Sequence, residues 1–343
     1  NVEKLNKSIL ISTGIYIGSI YIAILTKTSS HTYIEGMGYK GWFESGNSIS
    51  SILLLTMFIY LPYVKEKKYR NFIIPIIILV GAFLSMLIGT RAGLFGFILV
   101  IALYMGIEVL FNIIRNKKID KKFLIIGITG LAIVILVVIG FGSTTIQRRK
   151  HLKDIESDII DESSQENAHI TGSTLRIKEQ IEDNEIVEGY MSESQKQSIM
   201  DLYNIANKLQ VKNNDQRMQQ LIYNLVLVKN QKNILLILFG NGYVANFSEL
   251  VLEMELISML LNFGIVGFAL YMGPFIAILF AGLYYGIKYR KVIDSQYAFL
   301  WFGLAMAFAL SLLSGYTFFN LSSMIIIVSI STNLIKKMKE YKS

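Results

Sequence analysis

At 343 residues, 53% hydrophobic and only 17% charged, with a mean hydropathy of +0.48, the chain is too apolar for a water-soluble enzyme and reads as an all-α polytopic membrane protein. The net charge of +8 does not argue for nucleic acid, because the cations fall in short clusters between apolar runs. There is no cysteine, which excludes disulfides and thiolate metal sites.

A membrane-spanning helix needs roughly 20 apolar residues. Such runs lie near Ile9–Leu25, Ser48–Val64, Phe72–Ile88, Leu94–Ile114, Phe123–Phe141, Ile265–Ile287, Gln296–Leu313 and Phe319–Ile335, predicting about eight transmembrane helices. Basic clusters at Lys65–Arg70, Arg115–Lys122, Lys288–Lys291 and Lys336–Lys342 fall on one side with Lys4 and Lys7, so that side and both termini are expected in the cytoplasm. The opposite face then carries Thr26–Asn47, the turn Gly89–Gly93, a long segment from about Gly142 to Lys232 and the turn near Ser314–Thr317. The first residue is Asn rather than Met, so a fragment of a longer protein is expected. No small-residue cleavage pattern follows Ile9–Leu25, which reads as a span rather than a signal peptide. Richness in Lys, Ile and Asn points to an AT-rich bacterial source.

In the first external loop, Trp42 and Phe43 read as interfacial anchors and Asn47 or Ser48 as the N-cap of the second span; the alternative is a loop that contacts ligand. The turn Gly89-Thr90-Arg91-Ala92-Gly93 places an arginine against the charge bias. Arg91 either snorkels from a helix end or waits, flanked by glycines, for a phosphate arriving from the lipid. Glu108 reads as an interfacial residue facing other helices.

Beyond Gly142 the composition changes to a basic stretch, Gln147–Lys153, then an acidic one, Asp154–Asn167. Leu202, Ile205, Ala206 and Leu209, then Met218, Leu221, Ile222 and Leu225, recur at helical spacing, so a mobile acidic loop followed by two amphipathic helices is expected to form an external cap. Arg176 and Arg217 are candidate anion ligands there. His31, His151 and His169 have no metal-binding spacing, and no metal or other cofactor is expected.

Ile234–Phe239 is too short to cross a membrane and reads as a segment dipping toward it, before Gly240-Asn241-Gly242 turns the chain. Gly-x-Gly is a weak phosphate signal, and a helix-ending turn is the default. Asn246 then offers a cap, with Glu249 three residues on as in a capping box. A helical advance of about 100° per residue sets Glu249 and Glu253 on one stripe, and Glu255, Ser258 and Asn262 on nearly the opposite one. The chain thus divides into N-terminal transmembrane helices (1–141), an external cap (142–246), a site helix (247–264) and C-terminal transmembrane helices (265–343).

Several segments together resemble the O-antigen polymerase and O-antigen ligase superfamily. They are Gly41, Phe43 and Asn47 as Gly-x-Phe-x-x-x-Asn before a span, Thr90-Arg91-Ala92 in a helical hairpin, and the long external loop. Arg217, Gly240-Asn241-Gly242 and a helix running through Leu260–Gly267 follow. The resemblance covers about Gly41 to Gly273. One departure stands out: the ligases carry His-Asn eleven residues before the glycine equivalent to Gly264, where this chain has Glu253-Met254.

The resemblance implies a GT-C-like fold, with more helices than eight, that transfers a glycan from undecaprenyl pyrophosphate to a sugar hydroxyl on the outer face of the bacterial cytoplasmic membrane. On it, Glu253 is the base, Arg91 and Arg217 hold pyrophosphate, and Asn47, Arg176, Glu249 and Glu255 are supporting candidates. An ion pair of Glu253 with Arg217 that only docks the cap is the alternative. The implied partners are the lipid-linked glycan, membrane lipid, a flippase and a chain-length regulator. The missing His and the AT-rich composition favour polymerisation of a capsular or teichuronic-type polysaccharide; a ligase-like transfer to another acceptor, a flippase, and a non-catalytic binder of the same lipid stay open.

Overall fold

The computed structural model describes residues 2–33, 36–65, 68–115, 125, 127–132, 135, 147, 181–183, 192–209, 211, 216–242, 252–313 and 315–342. Among these the chain is almost wholly helical, with six helices long and apolar enough to cross a membrane. They are α1 (Val2–Leu25), α2 (Gly46–Lys65), α4 (Arg91–Ile114), α8 (Glu255–Lys288), α9 (Ser295–Leu313) and α10 (Leu321–Lys342). The remaining elements are β1 (Ser30–His31), β2 (Tyr39–Gly41), α3 (Arg70–Ile88), α5 (Glu193–Lys208), α6 (Gln216–Asn230) and α7 (Leu235–Phe239). Of the eight predicted spans, Phe72–Ile88 is the apolar part of α3, and most of Phe123–Phe141 lies outside the described residues. The chain is a multi-pass membrane protein.

Two compact units form: residues 1–151 with 275–343, and residues 152–274. The first is organised round α2, which is buried along most of its length and packs against α1, α3, α4, α9 and α10. Its apolar residues face helices on all sides, as the run of Ile, Leu, Met and Phe requires. Small residues let those helices close on it: Gly303 of α9 lies against Phe58, and Gly96 of α4 against Leu54. Buried hydroxyl pairs add to this packing, Thr13 of α1 with Thr56 of α2 at 3.4 Å and Ser51 of α2 with Thr317, in the turn before α10, at 3.2 Å. Asn6 of α1 and Asn333 of α10 exchange side-chain hydrogen bonds at 3.1 and 2.9 Å.

At the basic-cluster end of this unit, Lys65 pairs with the buried Glu108 at 2.6 Å and Ser295 donates to the same carboxylate at 2.6 Å, so Glu108 does face other helices. Lys337 pairs with Asp294 at 2.7 Å. Burial pushes the Asp294 carboxyl up, but hydrogen bonds from Lys337 and the Tyr297 amide, together with the Lys337 charge and the Tyr341 hydroxyl, outweigh it and hold the group below its usual value. A cavity of about 200 Å³ here is lined by Pro62, Lys65, Arg70, Tyr104, Glu108 and Asp294. Both of its carboxylates are spoken for by lysines, so this end reads as a lock between helices.

In the second unit, α5 opens with a reciprocal capping box between Ser192 and Gln195 and pairs with α6. Ile199, Leu202, Tyr203 and Ala206 pack against Ile222, Tyr223, Val226 and Leu227. Two amphipathic helices are present, but the predicted apolar set differs: Leu209, Met218 and Leu225 are exposed, and α6 buries Gln219, Gln220 and Asn224 instead. A period count over hydrophobic residues passes over a stripe that is half polar.

Candidate functional site

Gly240-Asn241-Gly242 is a clamp on a broken helix. Gly264, inside α8, has φ 65° and ψ −177°, which interrupts the helix and strips carbonyls 261 and 262 of their usual partners. The amides of Asn241 and Gly242 donate to those carbonyls at 2.8 and 3.1 Å, while the Gly240 amide closes α7 onto Leu236 at 2.8 Å. Backbone meets backbone so closely that a Cβ on Gly240 would strike the Asn262 carbonyl, and one on Gly264 the Leu238 carbonyl. All three amides of the Gly-x-Gly are therefore spent on carbonyls, and none of the three is left for a phosphate.

The helix begins at Glu255, and residues 252–254 are non-helical. Glu253 thus precedes the helix, and the 100° stripe argument does not reach it; Glu249 and Asn246 lie outside the described residues. What holds Glu253 is α6. Arg217 Nε donates to Glu253 Oε2 at 3.1 Å, with the side chains 40% and 34% exposed respectively, and Gln220 Oε1 accepts the Glu253 amide at 3.2 Å. The carboxylate is only partly buried. Two of the sequence-predicted residues, Glu253 and Arg217, are brought together; Gln220 was missed, because a buried glutamine carries no pattern signal.

Glu255, Ser258 and Asn262 do share a face of α8 and are 2%, 2% and 8% exposed, and Asn262 Nδ2 donates to Ser258 Oγ at 2.9 Å. A carboxylate in the first helical turn also meets the positive end of the helix dipole. This stripe has the character of an internal polar seam.

In the first unit, α3 ends on Gly89, a left-handed residue, and Thr90 caps α4 by accepting the Gly93 amide at 3.1 Å. Thr90 Oγ1 also meets Ser50 Oγ of α2 at 2.5 Å, an approach that a side chain at Gly93 would obstruct. Arg91 is the first residue of α4 and is exposed. A cation at a helix N-terminus sits where anions are favoured, which costs about 0.3–1 kcal/mol unless an anion joins it.

The first loop folds as the β1–β2 ribbon, with Gly41 at φ 64° against Ile20, the Phe43 ring tilted against Tyr16 with centroids 4.1 Å apart, and Tyr33 donating to the Gly89 carbonyl at 3.2 Å. The Gly-x-Phe segment thereby serves to seat the loop beside the Thr90 turn. Asn47 is the second residue of α2 and not its cap: Ser45 Oγ accepts the Ser48 amide at 3.3 Å, so the cap is Ser45. Trp42, exposed, donates to Thr28 Oγ1 at 2.9 Å. Arg176, His151 and His169 lie outside the described residues. Among the described residues, no three His, Asp or Glu side chains come together as a metal site would need.

Helices long and apolar enough to cross a membrane, one of them broken and clamped by a short apolar segment, define the class as a multi-pass membrane protein, and the arginine-held carboxylate is its candidate site. The chain matches, over residues 1–341, the family described as O-antigen ligase like membrane protein, and it belongs to that family. Membership makes it a membrane enzyme of the glycan-processing, glycosyltransferase type whose substrate is a lipid-linked glycan. No curated protein and no solved structure matches it.

Proposed function

We propose that the protein is a polysaccharide polymerase that joins oligosaccharide repeat units carried on undecaprenyl pyrophosphate, at the outer face of the bacterial cytoplasmic membrane. The observation that carries the reading is the Arg217–Glu253 pair at 3.1 Å, at the position where the resembling ligases have their His. In the reaction the acceptor hydroxyl oxygen attacks the anomeric carbon, inverting it. Its proton goes to a Glu253 oxygen, and the breaking bond leaves its electron pair on the pyrophosphate. Arg217 supplies paired hydrogen bonds to a departing phosphate as its charge grows, and Arg91, carried by the resemblance alone, is the second candidate for that role. Guanidinium is the cation this reading assigns to the pyrophosphate, and the proposed reaction is metal-independent. A half-exposed ion pair is weak, about 1 kcal/mol or less. An incoming pyrophosphate therefore competes for Arg217 and frees the carboxylate for the hydroxyl.

The family description favours, as second reading, ligase-like transfer of the glycan to a different acceptor. Purified protein incubated with lipid-linked repeat units, with and without a chelator, tests both. Growth of chains both with and without the chelator supports the polymerase as proposed, and growth abolished by the chelator would contradict its metal independence. Transfer only when a separate acceptor is added supports the ligase, and translocation of lipid without bond formation would contradict both.

A further inference from the structure

Arg217 and Gln220 stand one turn apart on α6 and grip the same residue at two points, Arg217 by the carboxylate and Gln220 by the backbone amide. Glu253 lies in the non-helical 252–254 stretch, and Gln220 accepts its amide from a position 4% exposed. Gln220 is itself set in place. The Asn224 side chain donates to the Gln220 carbonyl at 2.7 Å, and on α6 the neighbouring Tyr223 and Leu227 are locked into the α5 core.

We propose that Gln220 is a positioning residue for Glu253, keeping the carboxylate in register through the interval in which pyrophosphate draws Arg217 away. The inference rests on the reading of Glu253 as the base. Of the two grips, the ionic one is the one an anionic substrate breaks, because the pyrophosphate and the carboxylate compete for the same guanidinium. The amide grip is neutral, and an anion has no claim on a backbone N–H already bonded to a buried acceptor. Without it, the carboxylate would ride on a loose segment at the moment it must meet the acceptor hydroxyl within hydrogen-bond reach. A displacement of about 1 Å at such a group costs on the order of a hundred-fold in rate.

The test uses the full chain in detergent with lipid-linked repeat units as donor. Gln220→Met keeps the side-chain length and removes the strong acceptor. It is expected to lower kcat about ten- to a hundred-fold while the donor KM stays within about two-fold, because no donor contact is removed. The melting temperature should hold, and hydrogen exchange of the Glu253 amide should accelerate. Unchanged exchange at Glu253, an unchanged kcat, or a joint loss of kcat, KM and thermal stability would each overturn the proposal. The unmodified protein gives a check that needs no variant: its Glu253 amide must exchange more slowly than an unstructured one, and free exchange there also overturns the proposal. Glu253→Gln run in parallel separates the two ideas, since wild-type turnover in that variant removes the base reading while amide exchange still judges the Gln220 contact on its own.

Discussion

Glu253 and Glu255 are separated by one residue, yet Glu253 keeps about a third of its side chain open and is ion-paired with Arg217, while Glu255 is 2% exposed in a polar seam with Ser258 and Asn262. The backbone makes the difference. Glu253 precedes the helix, where its orientation is set by contacts from α6; Glu255 is in the first turn, where helical geometry sets it facing inward. A carboxylate that is accessible and weakly paired can exchange partners with a substrate. One buried among fixed neighbours is costly to disturb and contributes to structure.

The largest effect should come from breaking the frame on which both carboxylates sit. Gly264→Ala forces a Cβ into a left-handed residue and against the Leu238 carbonyl. It should cost at least about 3 kcal/mol, combining roughly 1–2 kcal/mol of conformational penalty with backbone overlap. Gly273→Ala in the same helix meets nothing within 4 Å and should be neutral, which makes the pair a matched control. Recovery of monodisperse protein from detergent extracts reads both, and equal recovery would remove the clamp from the account.

A smaller effect follows at the other candidate anion ligand. Arg91→Lys keeps the charge at the head of α4 but not the two parallel hydrogen bonds to a phosphate, and should lose about ten-fold or more in turnover without loss of folded protein. Full activity in this variant would return Arg91 to a snorkelling cation.

The smallest effect is expected far along the chain from both carboxylates. Because its partners hold the Asp294 carboxyl below the ordinary 3.8, the bond to Lys337 stabilises the fold above that value and is lost as the pH falls through the lowered one. Acid unfolding of the wild type should contain this component, about 0.5–1 kcal/mol for a partly exposed pair, and Asp294→Asn should lack it. Identical acid melting curves would mean the pair contributes nothing.

How much of this was legible in the sequence depended on which residues carried the signal. The spans announced themselves through runs of Ile, Leu and Phe, and the Thr90 turn through its glycines, because both follow from local rules. Arg217 and Glu253 were legible as charged residues in an apolar chain. Gln220 was not, since a buried amide looks like any surface polar residue until its partner is known. The helix expected to run through Glu253 is not continuous there, since residues 252–254 are non-helical and α8 begins at Glu255, a break that no periodicity announces; Asn246 and Glu249 lie outside the described residues. Ser45 rather than Asn47 or Ser48 capped α2 for a similar reason, as several candidate caps in a row leave the choice to tertiary packing of the β1–β2 ribbon, whose two- and three-residue strands are too short for any periodicity to reveal.

The two carboxylates differ in kind, and the most direct test is to neutralise each without changing its shape. Glu253→Gln and Glu255→Gln should be compared for turnover on lipid-linked repeat units, with donor binding and thermal stability measured on the same preparations. Glu253→Gln should bind donor and remain folded while turnover falls by roughly two to four orders of magnitude, the range for loss of a general base, and Glu255→Gln should lower the melting temperature with turnover per folded molecule largely kept. Near-wild-type turnover in Glu253→Gln, or a loss of turnover confined to Glu255→Gln, would contradict the account and leave the Arg217–Glu253 pair as a tether.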